Sequence, residues 1–450
     1  MKNFIRINTE QWESTQRFID ANTKNFNLIF FALVVGLISG LAGSVFRLTL
    51  EYIEHFRNNL YHSVDKTDPQ AWLIALLFGI LGVGVALFLV KKYAPEASGS
   101  GVQEIEGALD EVRPLRWKKV LPVKFVASLF SLGSGFLLGR EGPTIQIGAN
   151  IGKMIKDVFK QPDNENNPLI SAGAAAGLAA AFNAPFSGII FVIEEMHGHF
   201  KHSFFSVAAV MLASGMADLV SRLIVGAVPV IHMRIYEAPH PFSILAFILL
   251  GAILAVVGLI FNKLILFALN FFSALTRKVM NIVIGIAGIL IVVVGVFLPD
   301  MIGGGYEPIK AALDNSYTLQ FLLVLFVGRL ILTVFSYGIG LPGGIFAPLL
   351  SLGVLLGMFF GNIVHLQFPD LISSPGIFAV AGMAGIFAAT VRAPLTGLIL
   401  AAEMTLNFEL LLPLIFTVAS ASLFTTMFGN QPIYTTLLNR TIENSKNKNS

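Results

Sequence analysis

Apolar runs long enough to cross a bilayer recur along this chain, and they constrain its fold more than any other feature. They occupy Leu28–Leu48, Trp72–Val90, Phe205–Val228, Phe242–Phe272 and Val279–Leu298. About 20 consecutive apolar residues make one α-helical span. A soluble core would need amphipathic helices with a polar face, and these runs carry none. The chain is 55% hydrophobic and only 13% charged, where a soluble protein carries about 25% charged residues. The fold class that follows is an all-α polytopic membrane protein in contact with the lipid bilayer.

The chain has no cysteine, which excludes disulfides, thiolate metal sites and cysteine nucleophiles. A formal net charge of +3 points to no nucleic-acid partner. Residues 1–27 are mostly polar, carry Lys2, Arg6, Arg17 and Lys24, and lack the apolar core of a signal peptide. Arg440, Lys446 and Lys448 mark a short polar C-terminal tail, so no appended soluble domain is expected. Lys and Arg close to the spans choose the side of the membrane. They crowd the N-terminal tail and the stretch from Lys91 to Lys119, and are absent from Asn281 to Ile309. The N-terminus and the region after Val90 therefore read as cytoplasmic, and the loop around Pro299–Gly305 as external.

Three segments recur in order. Ser98–Leu109 resembles Ile302–Leu313 at an offset of 204. Gly139–Pro143 resembles Gly344–Pro348 at 205, and Ala184–Met196 resembles Ala393–Met404 at 209. Such ordered self-similarity marks an internal repeat. Residues 91–98 read as cytoplasmic and their counterparts near 295–302 as external, so the halves are expected to be inverted. Two inverted-topology repeats with broken, tilted helices around a midplane site are a transporter architecture. The expected organisation is a cytoplasmic tail over 1–27, a first half over 28–228, a second half over 229–428, and a C-terminal segment over 429–450.

Gly99-Ser100-Gly101, Gly139–Pro143 and Gly344–Pro348 interrupt apolar sequence just before new helical runs. Irregular backbone at membrane depth is tolerated only against protein or a water-filled cavity. Helices starting there would aim N–H groups and positive dipole ends inward, an environment for an anion. Residues at these starts are mostly neutral: Ser100, Ile345 and Phe346. A neutral donor cage can strip an anion of water and still release it.

Glu104, Glu106, Lys124, Arg329, Arg392 and Glu403 also lie near or inside apolar sequence, and a structural role is expected for each. Glu194 aligns with Glu403 and reads as architectural too. Glu141 and Glu195 differ, because the repeat places Phe346 and Met404 at their positions. Glu141 opens a helix, where its carboxylate could occupy an anion position and leave on protonation. That makes anion and proton binding interdependent. For Glu195, a surface or capping role competes on position alone.

These motifs in this order resemble those of the CLC chloride channel and transporter family over nearly the whole chain, with bacterial proton/chloride exchangers nearest. The resemblance implies that residues 99–103 (Gly99, Ser100, Gly101, Val102, Gln103), 139–143 (Gly139, Arg140, Glu141, Gly142, Pro143) and 344–348 (Gly344, Ile345, Phe346, Ala347, Pro348) form the selectivity filter. It implies that Ser100 and Tyr434 offer hydroxyls, and Ile345 and Phe346 backbone N–H groups, to chloride. It assigns Glu141 the external gating role and Glu195 the internal proton transfer. It further implies a homodimer with one pathway per subunit, a bacterial inner membrane with both termini cytoplasmic, more than one chloride per proton, and no cofactor beyond the transported chloride and H+. Gln103 stands where the family usually has proline, a change that bears on the helix start and on anion preference. Ser100 goes with chloride in the family, where a proline goes with nitrate.

The function expected is a proton-coupled chloride antiporter. A passive voltage- or pH-gated chloride channel is the alternative, and Glu195 argues against it because family channels generally lack that residue. A fluoride exporter would depart from the Gly139–Pro143 and tyrosine patterns. No enzyme is expected: His62, His197, His199, His202, His232, His240 and His365 show no metal or triad spacing. A zinc site at His197, His199 and His202 is a weaker reading than a solvated interfacial cluster.

Overall fold

The computed structural model describes residues 2–64, 68–161, 168–196, 198–200, 202–227, 230–231, 233, 235–237 and 239–449, with side chains from residue 25 to residue 446. His197, His232 and the expected division between the halves at 228/229 lie outside the described residues.

A first series of helices comprises α1 (Lys2–His62), α2 (Pro69–Tyr93), α3 (Val102–Leu109), α4 (Trp117–Gly133), α5 (Glu141–Val158), α6 (Pro168–Phe182), α7 (Pro185–Glu195) and α8 (Phe204–Val225). A second comprises α9 (Ile244–Ser273), α10 (Arg277–Phe297), α11 (Tyr306–Leu313), α12 (Leu319–Gly338), α13 (Phe346–Gln367), α14 (Gly376–Val391), α15 (Pro394–Thr405) and α16 (Leu411–Met427). α17 (Ile433–Asn449) follows. Among the described residues, eight helices are long and apolar enough to cross a membrane, and their apolar windows are only 33–56% buried within the protein. The remaining faces expose side chains such as Leu223 and Leu245. Apolar faces on this scale are stable against lipid and not against water.

The repeat extends to backbone detail. After α2 and α10 comes a 3-10 turn opening on proline, Pro95–Ala97 and Pro299–Met301. A left-handed glycine then caps the short helix, Gly101 at φ 89° for α3 and Gly305 at φ 111° for α11. A side chain at either position would be strained. α6 and α14 each end on a left-handed residue, Asn183 at φ 51° and Arg392 at φ 70°. Lys124 and Arg329, at corresponding positions of α4 and α12, do the same work on the turn beside them. Lys124 Nζ donates to the carbonyls of Ala97, Gly99 and Ser100 at 3.0, 2.7 and 3.2 Å. Arg329 donates to those of Asp300, Ile302 and Gly303 at 2.9, 3.1 and 2.9 Å.

α6 and α14 have 15 and 16 residues, too few to cross, and nearly all of them are buried. They form the centre against which α5 and α13 pack. Glycines set that approach: a Cβ at Gly148 would lie 2.0 Å from the Gly173 carbonyl, and one at Gly353 2.3 Å from that of Gly382. Small residues let helix backbones come this close in a membrane, where dispersion and not the hydrophobic effect drives association.

The series are also locked to each other. Glu194, ending α7, accepts from Leu395 N and Thr396 N at 2.9 and 2.7 Å. Glu403, in α15, accepts from Phe186 N and Ser187 N at 3.1 and 2.7 Å. Each acid caps the first turn of the other helix, meeting donors that have no intrahelical acceptor.

Candidate functional site

The three interrupting segments converge. Gly139 and Gly344 exchange both backbone hydrogen bonds, each 2.7 Å. Gly99 N donates to Leu341 O at 3.1 Å, and Gly343 N to Gly99 O at 2.9 Å. Gly142 closes the junction: a Cβ there would lie 2.8 Å from both Gly344 Cα and Ser100 Oγ. Only glycine fits, so the chain breaks of three distant segments share one point. All of Gly99, Ser100, Gly101, Val102 and Gln103, Gly139 to Pro143, and Gly344 to Pro348 are buried.

α13 begins at this junction, with Ile345 as N-cap and Phe346 as its first residue. Their N–H groups have no intrahelical acceptor. The Phe346 ring is wedged edge-on against Phe191 and Phe387, centroids 5.6 and 4.7 Å away, and tilted against Tyr434 at 6.0 Å. Tyr434 enters from α17 and is fully buried. The hydroxyls of Ser100 and Tyr434 neighbour each other, and neither makes a hydrogen bond of ordinary geometry. Leaving a buried donor unpaired costs about 1–3 kcal/mol, so two side by side require an acceptor. An anion is one such acceptor, because it takes donors from several directions and supplies none. The nearby cations do not compete for it. Lys124 spends its ammonium on three carbonyls. Arg140 pairs with Glu51 at 3.2 Å and lies 4.7 Å from the Tyr306 ring centroid. The cage is therefore neutral.

Glu141 is fully buried at the start of α5. Its Oε2 accepts a long hydrogen bond, 3.4 Å, from Ala347 N in the first turn of α13. Its Oε1 accepts from the hydroxyl of Tyr306. The carboxylate thus sits where the dipole of α13 favours an anion. Glu51, which pairs with Arg140, also pairs with Arg47 at 2.9 Å. The chain Arg47–Glu51–Arg140–Tyr306–Glu141 runs out to a cleft of about 470 Å³ lined by Glu51, Glu54, His55, Glu307 and Tyr306.

Glu195 closes α7, and its Oε1 is buried without a partner. The acids it faces are Glu106 and Glu194. Glu194 is engaged in capping. Glu106 is not: it is fully buried and neither oxygen is hydrogen-bonded. This sets Glu106 apart from the other charges read as structural. Glu104 pairs with Arg113 at 2.9 Å, Arg392 donates to Asn430 O at 2.8 Å, and Lys124, Arg329 and Glu403 hold backbone as described. Tyr434 also faces Glu195 and Glu106, so the hydroxyl cage and the inner acids belong to one region.

Sequence reasoning missed Tyr306 and Glu106. Tyr306 stands 165 residues from Glu141, and no local pattern joins them. Glu106 had a signal in its position inside a filter helix, but a carboxylate on a short helix usually caps or pairs. Gln103 replaces a residue type that has no N–H. It is buried at the start of α3 with its side-chain Oε1 unpartnered. Of the histidines, His199 contacts Asp110 at 2.6 Å and His202 meets the Phe200 ring edge-on. No metal-holding group of three or more His, Cys, Asp or Glu occurs among the described residues.

The profile of the family described as voltage gated chloride channel matches residues 82–426. The chain is 43% identical over 442 residues to the H(+)/Cl(-) exchange transporter ClcA of Vibrio parahaemolyticus, covering 96% of this chain and 94% of that one. It is 43% identical over 438 residues to the protein of the same name from Vibrio cholerae, covering 96% and 93%. Among solved structures, a slow cyanobacterial Cl-/H+ antiporter superimposes with a TM-score of 0.89 at 37% identity, over 92% of this chain and 98% of that one. Converging helix starts, a paired set of free hydroxyls and relatives matched almost end to end lead to one conclusion: the chain belongs to the voltage gated chloride channel (CLC) family.

Proposed function

We propose that this protein exchanges chloride for protons across the membrane. The observation that carries the reading is the pairing of a neutral donor cage with two carboxylates the repeat does not require, Glu141 fully buried and Glu195 half-buried with one oxygen buried and unpartnered. Ser100, Tyr434 and the amides of Ile345 and Phe346 hold chloride. Glu141 competes for the anion position at the end of α13. When protonated it loses the attraction of the helix end and yields to chloride, so each exchange of anion for carboxylate moves a proton. Glu195 supplies the inner entry for that proton, off the chloride path. Relatives named as exchangers support coupling over passive conduction. The reading extends to two inverted halves, a bacterial inner membrane with both termini cytoplasmic, and a homodimer with one pathway in each subunit.

Proteoliposomes under crossed chloride and proton gradients test the proposal. Chloride flowing down its gradient should drive protons uphill, and a reversal potential that ignores pH would overturn the coupling. Glu195→Gln should abolish proton flux while chloride flux survives. Equal loss of both would remove Glu195 from the proton path.

A further inference from the structure

On the face where α17 meets the end of α2 and the start of α10 lies a cleft of about 910 Å³ that the transport site does not use. Lys91 and Lys92 reach it from α2, Arg277 from α10 and Arg440 from α17, and no acidic residue lines it. Lys91 faces Arg277 as a like charge. Neither has a carboxylate partner among the described residues. Lys92 lies 5.0 and 5.3 Å from the ring centroids of Phe88 and Tyr93. Arg440 is fastened by neutral acceptors, Asn270 Oδ1 at 2.8 Å and Leu269 O at 3.0 Å, which leave its charge uncompensated. Four positive charges thus line one cleft, with no acid lining it among the described residues.

The walls between them are apolar. Leu87, Phe272, Met280 and Ile284 are among the residues lining them. Phe88, on the same cleft, is 54% exposed although it belongs to a membrane span. A basic rim at the end of membrane helices, continuous with an apolar slot open towards lipid, matches one ligand class: an anionic headgroup on an acyl chain. Basic pockets between membrane helices take such headgroups, and each cation near the surface contributes about 1 kcal/mol to the attraction.

We propose that this cleft is a binding site for an anionic phospholipid. Its phosphate is held by Lys91, Arg277 and Arg440, and its chain lies along α2, α9 and α10. The occupant is a lipid and not a free anion, because an inorganic phosphate would leave the apolar slot unfilled. Arg440 gives the site a consequence. It lies on the helix that delivers Tyr434, and it also lines the adjoining cleft of about 400 Å³ that reaches Gly99, Gln103 and Tyr337. A bound lipid anchors α17 to α9 and so steadies the cage hydroxyl. That consequence rests on the transport reading, whereas the binding does not.

Native mass spectrometry of the full chain in detergent, with phosphatidylglycerol or phosphatidylcholine added, tests the binding directly. Phosphatidylglycerol should be retained at least 10-fold more than phosphatidylcholine and should raise Tm. The double variant Lys91→Gln/Arg277→Gln should lose that preference. Lys118→Gln/Lys119→Gln, which removes the same charge from the exposed start of α4, should keep it. If the first double variant does not fold, each single variant should weaken retention about threefold. Equal retention of the two lipids, equal loss in both double variants, or displacement of the lipid by millimolar inorganic phosphate would each overturn the site. None of these outcomes depends on chloride transport, so a failure here is separate from a failure of the exchange reading.

Discussion

Tyr306→Phe isolates the hydroxyl contact that holds the Glu141 carboxylate. The hydroxyl of Tyr306 donates to Glu141 Oε1, while Ala347 N makes a longer contact to the carboxylate, at 3.4 Å. A hydrogen bond to a charged group is worth about 1.5–3 kcal/mol net. The ring stays in phenylalanine, so its stacking with Arg140 and its packing persist. Removing the hydroxyl should therefore weaken the carboxylate against chloride by roughly 10- to 100-fold, at about 1.4 kcal/mol per factor of ten. Two readouts follow. Chloride binding measured by titration calorimetry should tighten towards that factor, unless chloride also takes a donor from Tyr306. Chloride turnover in proteoliposomes should rise, while the proton-to-chloride ratio stays fixed because Glu141 still carries the proton. Glu141→Gln is the control and should uncouple chloride from protons. If Glu141→Gln uncouples and Tyr306→Phe leaves both affinity and turnover unchanged, the hydroxyl does not restrain the gate. If Glu141→Gln stays coupled, the gating role itself fails.

The reciprocal caps predict that Glu403→Ala lowers stability by about 1–3 kcal/mol through unpaired first-turn donors, read as a fall in Tm, with Glu194→Ala giving a similar fall. Gly148→Val should prevent folding or lower Tm more than either cap, since its side chain would run into the Gly173 carbonyl 2.0 Å from the Cβ; gel filtration in detergent checks it. Lys124→Met should disorder the turn at Ala97–Ser100 and reduce chloride flux with little change in proton coupling, measured in the same vesicles. Outside the spans, burial pushes the Glu96 carboxyl up, but the hydrogen bond and charge of Arg116 outweigh it and hold the group below its ordinary range. A carboxyl held low contributes stability above its ordinary range and loses it as pH falls through its lowered value. Tm should therefore fall less steeply on acidification in Arg116→Gln than in the wild type.

Much of the molecule is legible in the chain alone, because the strongest signals are local. A long apolar run announces a span wherever it packs, and eight helices among the described residues are long and apolar enough to cross a membrane. The repeat is also local information carried twice, and the structure extends it to Lys124 and Arg329, which hold corresponding turns. The breaks at Gly99–Gly101, Gly139–Pro143 and Gly344–Pro348 are visible as glycine and proline in apolar surroundings. The exception to each repeat, Glu141 against Phe346 and Glu195 against Met404, singles out the two acids. Tyr434 had no such mark and was identified only through resemblance.

What tertiary structure decided is which donors and acceptors meet, because a hydrogen bond depends on ångströms that sequence spacing does not encode. Glu194 and Glu403 read as structural acids with no stated partner until two helix starts are docked onto them. Tyr306 is an unremarked residue after a glycine turn until α11 brings it to Glu141. Glu106 looks like any carboxylate on a helix until packing removes every partner it could have had. The four cations at the cleft come from three helices with no common pattern, and only the fold brings them together without an acid. The chain by itself determined a two-fold bundle of membrane helices with breaks at its centre. Packing at those breaks determined which oxygens are satisfied and which are left without a partner.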